Sequence, residues 1–193
     1  MALIEQVINS VFNSITYILP INNQKDCWLI DCGDVSEIVD QGWNVKGVLL
    51  THIHFDHIYG LNKLMEYFPN IVVYTNNEGK EGLMNPKYNF SRYHEEIDSF
   101  VFSHPQNVNI LSTESSLLLE SNICVDVLFT PGHDPSCLSF RIDDYLFTGD
   151  AYIPGIKTID TFPRSHKGLA MDSVIRIQEL EKLGLHIKPG HLI

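Results

Sequence analysis

The densest group of chemically active residues in the chain is the segment Thr51-His52-Ile53-His54-Phe55-Asp56-His57. In an extended segment, side chains two positions apart project to the same side, so His52 and His54 can share one metal ion. Asp56 and His57 follow where the chain turns into a predicted helix, and they can face a neighbouring position. Neutral imidazole and carboxylate are the ligands that Zn²⁺ takes in catalytic sites. The segment therefore predicts a metal centre.

Three further candidate ligands follow predicted strands, and each comes directly after a glycine. These residues are His133, Asp150 and His191. Glycine lets the backbone turn sharply or approach another group closely. One such pair is ordinary turn chemistry, but three of them beside the first cluster indicate that distant segments converge on one site.

The elements that must position these residues can be predicted from hydrophobic spacing. Strands are expected at 14–19, 27–31, 46–51, 71–74, 116–119, 123–129, 137–142, 145–147 and 186–188, and helices at 36–41, 58–68 and 172–183. A polar turn at 22–26 joins the first two strands. The irregular stretch 77–112 is expected to be a helical insertion over the active face. Its aromatic residues Tyr88, Phe90 and Tyr93 either line the pocket or pin the insertion.

Composition limits the classes of protein to which the chain can belong. The 193 residues suit one domain, 1–193, and 13 basic against 24 acidic residues give a net charge of −11. This balance argues against nucleic-acid binding, which depends on lysine and arginine meeting phosphates. Without a run of about 18 apolar residues or a secretory leader, we expect no membrane span and a cytoplasmic location.

The four cysteines form no C-x-x-C pair and lie in or beside apolar runs, so we expect buried free thiols rather than a zinc knuckle. They are Cys27, Cys32, Cys124 and Cys137. Four histidines outside the motifs are expected to be surface or ordinary core residues. They are His94, His104, His166 and His186.

The order His-x-His-x-Asp-His, Gly-His, Gly-Asp and Gly-His resembles the metallo-β-lactamase superfamily, and the resemblance runs from about residue 29 to residue 191. It implies an α/β (α+β) fold, a four-layer αββα sandwich of two mixed β-sheets flanked by helices. Two divalent metal ions would lie at one edge of the sheets. Zn²⁺ is the expected metal, and iron or manganese would also suit the ligands. By this resemblance His52, His54 and His133 hold the first metal. Asp56, His57 and His191 hold the second, and Asp150 bridges both.

Within the superfamily, the stretch 85–91 and the last predicted helix resemble small hydrolases of the glyoxalase II type. The resemblance implies hydrolysis of a small ester, thioester or lactone, with a hydroxyacyl-glutathione thioester as one candidate. Two departures leave this substrate open: the chain stops at Ile193, where glyoxalase II continues into a glutathione-binding helical domain, and the usual Gly-Arg pair after Asp150 is absent. The alternatives are a phosphodiesterase or RNA-processing relative and a non-catalytic metal-binding protein.

Several residues have candidate roles around the metals. Asp56 can also accept a proton from the nucleophile. Asp31 and Thr51 can orient the histidines, and the alternative for Asp31 is a turn residue at the end of a strand. Tyr152 and Lys157, followed by Arg164 and Lys167, either contact an anionic small-molecule substrate or are solvated. Asp134, next to His133, either supports a ligand or lies in solvent. The sequence makes no prediction of oligomeric state.

Overall fold

The computed structural model describes residues 4–21, 25–94, 98–120 and 123–192. Its first sheet has six strands in the order β1 to β6, at Glu5–Ile8, Ile15–Pro20, Asp26–Ile30, Asn44–Leu49, Val72–Thr75 and Val108–Ile110. The first three strands pair antiparallel, and β3 to β6 pair parallel. The expected turn at 22–26 falls partly on residues 22–24, which lie outside the described ranges.

The second sheet has five strands in the order β11-β10-β9-β8-β7. They span Ser115–Leu118 (β7), Cys124–Phe129 (β8), Leu138–Ile142 (β9), Tyr145–Gly149 (β10) and His186–Pro189 (β11). Strands β7 to β10 pair antiparallel in sequence order, and β11 joins β10 in parallel. Strands β8, β10 and β11 therefore run the same way, and their carboxyl ends share one edge.

Helices cover the outer faces of both sheets. They are α1 (Ser36–Asp40), α2 (Leu61–Tyr67), α3 (Asn77–Leu83) and α4 (Lys167–Lys182), with short 3₁₀ turns at Phe55–His57, Ser91–Tyr93 and Pro105–Asn107. Alternation along β3 explains the layering, since Trp28 and Ile30 pack between the sheets while Leu29 packs with the residues of α1 and α2. Ile177 of α4 packs on the other side of the second sheet. The expected four-layer αββα sandwich is confirmed.

Two predicted elements differ from the structure. In the described part of the insertion, helical structure is confined to α3 and the short 3₁₀ turns, and its last part forms strand β6 of the first sheet. Helix α4 begins at Lys167, well before the predicted start at 171–172, because the His166 ring Nδ1 accepts a hydrogen bond from the Leu169 N–H, at 3.2 Å, and caps the helix there.

The cysteine prediction holds at three positions and fails at one. Cys27, Cys32 and Cys137 are buried free thiols, whereas Cys124 is exposed. It opens β8 at the outer end of the β7–β8 hairpin, opposite the exposed Leu118. Among the helices of the described ranges, none is long and apolar enough to cross a bilayer.

Candidate metal centre

Seven candidate ligands meet where strands of both sheets end. The segment 52–57 follows β4, and His133, Asp150 and His191 follow β8, β10 and β11. The two sheets are tied together at this edge, because the Leu138 N–H donates to the Thr51 carbonyl oxygen at 2.7 Å. Gly190 brings its backbone so near that a Cβ there would overlap the Asp150 carboxylate. The strand ends and close backbone approaches thus bring residues far apart in sequence to one place.

The first group of donors consists of His52, His54 and His133. One potential ligand atom from each lies within 4.8 Å of the others, and all three side chains are buried. The His54 Nδ1 and His133 Nε2 atoms are 3.0 Å apart. The Asp150 Oδ2 atom lies 3.9 Å from His52 Nε2 and 3.6 Å from His133 Nε2.

The second group consists of Asp56, His57 and His191, whose ligand atoms also lie within 4.8 Å of one another. The Asp56 Oδ2 atom is 3.3 Å from Nε2 of both histidines. Asp150 contacts this group as well, with Oδ1 3.5 Å from His57 Nε2 and Oδ2 3.3 Å from His191 Nε2. Asp150 is therefore the side chain that lies between the two groups.

The outer ring nitrogens of three histidines are fixed by oxygens that can only accept a hydrogen bond. His57 Nδ1 donates to Asp31 Oδ2 at 2.9 Å, His133 Nδ1 to the Ile159 carbonyl at 2.9 Å, and His191 Nδ1 to the Phe12 carbonyl at 3.0 Å. Each outer nitrogen therefore carries the proton. In the neutral ring, Nε2 then points a lone pair into the site, as a metal ligand requires.

The ligand atoms that face the interior of the site would interact more favourably with a cation than with one another. The Nε2 atoms of His57 and His191 are only 3.2 Å apart. Within the described residues, His52 Nε2 and Asp150 Oδ1 are buried without a hydrogen-bond partner. Buried polar atoms of this kind are costly unless something satisfies them. The donor set, imidazole and carboxylate, therefore fits divalent cations.

The electrostatics of the site point the same way. Burial alone would lower the pKa of His191, but hydrogen bonds to Asp150 and Asp56 raise it to about 10. Burial and the neighbouring His54 lower the pKa of His133 to about 4, so that ring is neutral near pH 7. Burial opposes ionisation of Asp56 and Asp150, yet the positive charge of His57 and hydrogen bonds from His191 hold the pKa of both carboxyls below the usual value. The carboxylates thus attract positive charge to the site.

Asp31 and Thr51 lie directly behind the histidines. The buried Asp31 has the unusual backbone φ of 60° at the end of β3. Its Oδ1 accepts the Thr51 N–H at 2.7 Å, and its Oδ2 accepts both the Thr51 hydroxyl at 2.7 Å and His57 Nδ1 at 2.9 Å. The Thr51 oxygen lies 3.1 Å from His52 Nδ1. The two residues together orient His52 and His57.

Asp134 is fully buried, which contradicts the alternative that it lies in solvent. Its Oδ1 accepts hydrogen bonds from the Ser136 N–H at 2.8 Å and the Ser136 hydroxyl at 2.6 Å. Its Oδ2 lies 3.7 Å from His54 Nε2 and 3.6 Å from Arg164 Nε. Arg164 in turn stacks over the Tyr88 ring at 4.5 Å. The position of Asp134 beside His54 agrees with the alternative that it supports a ligand, whereas its contact with Arg164 was not predicted.

Two predicted substrate contacts lie elsewhere. The Tyr152 hydroxyl donates to Glu181 Oε2 at 3.0 Å, and the exposed Lys157 Nζ lies 4.0 Å from Asp160 Oδ1. Both residues line a separate groove of about 420 Å³ beside α4, together with Lys167. The structure does not bring them to the walls of the cavity above the metal centre.

That cavity has a volume of about 650 Å³ and opens directly onto His54, Asp56, His133, Asp150 and His191. Aromatic rings form most of its walls, namely Phe12, Phe55, Phe90, Tyr93, His94 and Phe162. His94 was expected to be a surface or ordinary core residue, but it lines this cavity. Of the three aromatic residues noted in the insertion, Phe90 and Tyr93 line the cavity, whereas Tyr88 pairs with Arg164.

Comparison with known proteins agrees with this arrangement. The family model described as Metallo-beta-lactamase superfamily matches residues 12–187. A hydroxyacylglutathione hydrolase of Enterobacter sp. (strain 638) is 30% identical over 148 residues, which cover 72% of this chain and 48% of that protein. The chain spans about half the length of the curated relatives it matches.

Two solved structures share the fold. The crystal structure of BLEG-1 B3 metallo-beta-lactamase has a TM-score of 0.85 at 23% identity, covering 99% of this chain and 92% of that one. The crystal structure of TTHA1623 in a di-iron-bound form has a TM-score of 0.75 at 21% identity, covering 98% and 92%. At these identities the likeness concerns the fold alone.

Proposed function

Because the chain belongs to the metallo-β-lactamase superfamily, we propose that it is a metal-dependent hydrolase that cleaves a small ester, thioester or lactone. The observation that carries the proposal is the convergence of seven donor side chains, with Asp150 in contact with both groups of donors. The similarity to hydroxyacylglutathione hydrolases makes a hydroxyacyl thioester one candidate substrate.

Two divalent ions, with zinc as the proposed metal and iron or manganese as alternatives, would be held by the two groups described above. When bound, such a pair supplies Lewis acidity toward a substrate oxygen and lowers the pKa of a water molecule. His52, His54 and His133 would hold the first ion, and Asp56, His57 and His191 would hold the second. Asp150 is shared between them.

The protein's own residues provide orientation and proton transfer. Asp31 and Thr51 hold the rings of His57 and His52. Asp56 presents Oδ2 to His57 and His191, and we assign its Oδ1 as the atom that accepts a proton from the attacking water. Burial opposes ionisation, but the positive charge of His57 and hydrogen bonds from His191 hold the pKa of Asp56 below its usual value, so the carboxylate is ionised near pH 7. Aromatic rings form the walls of the cavity above the reacting centre.

The experiment compares thioester, ester and lactone substrates with bis-p-nitrophenyl phosphate, using protein loaded with zinc and the same protein after chelation. We expect chelator-sensitive hydrolysis of the carbonyl substrates. Preferential cleavage of the phosphodiester would favour the phosphodiesterase alternative, against which the net charge of −11 argues. Tight metal binding without hydrolysis of any substrate would favour a non-catalytic metal-binding protein. The single domain 1–193, the cytoplasmic location and the absence of nucleic-acid and membrane partners remain predictions of the sequence.

A further inference from the structure

The cavity above the metal centre has unusually apolar walls for a site whose floor is so polar. Phe162 and Phe90 stack against each other at 5.2 Å between ring centroids. Both rings also contact His54, at 5.5 Å and 4.7 Å, and Phe162 contacts His133 at 5.6 Å. A substrate that reaches the donor atoms must therefore place part of itself against aromatic carbon.

No lysine or arginine is among the described residues that line this cavity. The residues outside the described ranges contain neither type, so they cannot supply a lysine or arginine side chain. Arg164, the arginine nearest to Phe162 in sequence, turns away to Asp134 and Tyr88. Lys157 and Lys167 line the other groove. A carboxylate entering the aromatic part of the cavity would lose part of its hydration without gaining a lysine or arginine side chain, which is costly.

The aromatic wall is held in place by the insertion. Phe90 adopts the left-handed backbone conformation, with φ of 63°, which is rare for an aromatic residue. The neighbouring Asn89 enforces it, because its side-chain amide donates to the Gly82 and Phe100 carbonyls at 3.1 Å and its Oδ1 accepts the Ser91 N–H at 3.1 Å. The Asn89 carbonyl also accepts the Phe55 N–H at 2.8 Å, next to the metal ligands. The hydrogen bonds of Asn89 thus fix the position of Phe90 relative to the metal ligands.

Resting on the proposed hydrolase function, we propose that the group beside the scissile bond is uncharged and apolar, either a medium-length alkyl chain or an aromatic ring. A cavity of about 650 Å³ holds a group much larger than acetyl. Aromatic side chains favour stacking on rings and packing on alkyl chains. The substrate class is therefore neutral acyl esters, thioesters or lactones. S-lactoylglutathione is a poor fit, because its acyl group is small and polar and the carboxylates of its glutathione part are negatively charged.

The test uses thioesters of one small neutral thiol, N-acetylcysteamine, with acetyl, butanoyl, pentanoyl, hexanoyl, phenylacetyl and glutaryl groups, and S-lactoylglutathione for comparison. Zinc-loaded protein should show kcat/KM rising about fourfold per added methylene. The glutaryl thioester, which matches pentanoyl in length but carries a carboxylate, should be slower by a factor on the order of 100. Glutaryl or S-lactoylglutathione turnover equal to or faster than pentanoyl turnover would overturn the inference while leaving the proposed hydrolase intact.

A charge substitution tests whether the aromatic wall causes the preference for neutral acyl groups. Phe162→Arg places a cation in the aromatic wall, so the ratio of glutaryl to pentanoyl turnover should rise at least about tenfold. Met171→Arg adds the same charge at an exposed position of α4 in the other groove and should leave that ratio unchanged. An equal rise in both variants would contradict the inference, because it would reflect net charge alone. Metal content and thermal unfolding of each variant establish that the centre is intact.

Binding of unreactive amides provides a readout besides activity. The pentanoyl and glutaryl amides of a small neutral amine are titrated by calorimetry into metal-loaded and metal-free protein. Tighter binding of the pentanoyl amide is expected in both forms, because the apolar walls belong to the chain itself. If no thioester is hydrolysed although metal is bound, the proposed function fails, and a preference for the glutaryl amide would independently overturn the inference.

Discussion

At the scale of single residues, Asp150 is the side chain that contacts both groups of donors. Replacing it with alanine removes oxygens that lie 3.3–3.9 Å from histidines of both groups. We expect Asp150→Ala to retain at most one metal ion per chain after desalting, whereas the wild type retains two, as measured by elemental analysis. Asp172→Ala, at an exposed position in α4, is the control and should retain both. Full metal content in Asp150→Ala would contradict the bridging role.

Asp134 supports the centre without facing the cavity. Asp134→Asn keeps the size of the side chain but removes the charge next to His54 and Arg164. We expect metal affinity to fall about tenfold, as is usual when a partner of a ligating histidine is altered. Competition with a chromophoric chelator measures the affinity, and Asp40→Asn at the exposed end of α1 serves as the matched control. Equal affinities in the two variants would assign Asp134 a purely local role beside Ser136.

The sequence was informative about donors and less so about what surrounds them. His52, His54, Asp56 and His57 stand out because one short segment carries them, and glycines mark the rest. The contact between Asp134 and Arg164 depends on burial of a charge, which no local pattern reveals. Tyr152 and Lys157 were expected near the substrate because they follow Asp150, but the chain after Asp150 turns toward α4.

At the scale of elements, Gly132 sets the distance between the end of β8 and helix α4. Its φ of 134° is unfavourable for any other residue, and a Cβ would overlap the backbone of Ala170 in α4. We expect Gly132→Ala to lower the free energy of unfolding by more than about 3 kcal/mol, because it combines a strained backbone with a clash. Urea denaturation of the metal-free protein measures this loss.

Gly155→Ala is the matched control for the strained backbone. Its φ of 79° is also positive, but a Cβ there meets nothing within 4 Å. We expect a loss of only about 1 kcal/mol, since the backbone strain remains but the clash does not. Similar losses in the two variants would show that α4 moves aside and that Gly132 does not determine the packing.

Strands β3 and β4, which pack on both faces, were predicted from their apolar residues. The strands β1 and β6 lie at the two ends of the first sheet, and each has only one buried residue. Their structure comes from pairing with a neighbour rather than from their own sequence, so no prediction found them. Likewise, the start of α4 depends on the His166 side chain, which a search for the usual capping residues overlooks.

At the scale of the whole molecule, the donor set joins segments from both sheets. Bound metal should therefore stabilise the native fold, because a ligand that binds only the folded state adds about 4 kcal/mol when present at 1,000 times its dissociation constant. We expect chelation to lower the melting temperature and added Zn²⁺ to restore it, as measured by scanning calorimetry. Asp150→Ala should respond much less to chelation. An unchanged melting temperature in the wild type would indicate that the centre does not bind metal tightly.

The fold as a whole followed from the resemblance and from the spacing of strands and helices, while the surface of the cavity did not. Its aromatic wall combines Phe12 near the start of the chain, Phe90 in the insertion and Phe162 in a loop after β10. No two of these lie close in sequence. Substrate preference is therefore a property of the assembled molecule.

The most direct test of the account is anomalous diffraction at the zinc absorption edge from crystals grown with zinc. The account predicts two peaks per chain. The first should lie among His52, His54 and His133, the second among Asp56, His57 and His191, and Asp150 should lie between the peaks. Crystals of intact protein that show no peak at these residues, or zinc bound only elsewhere on the surface, would contradict it.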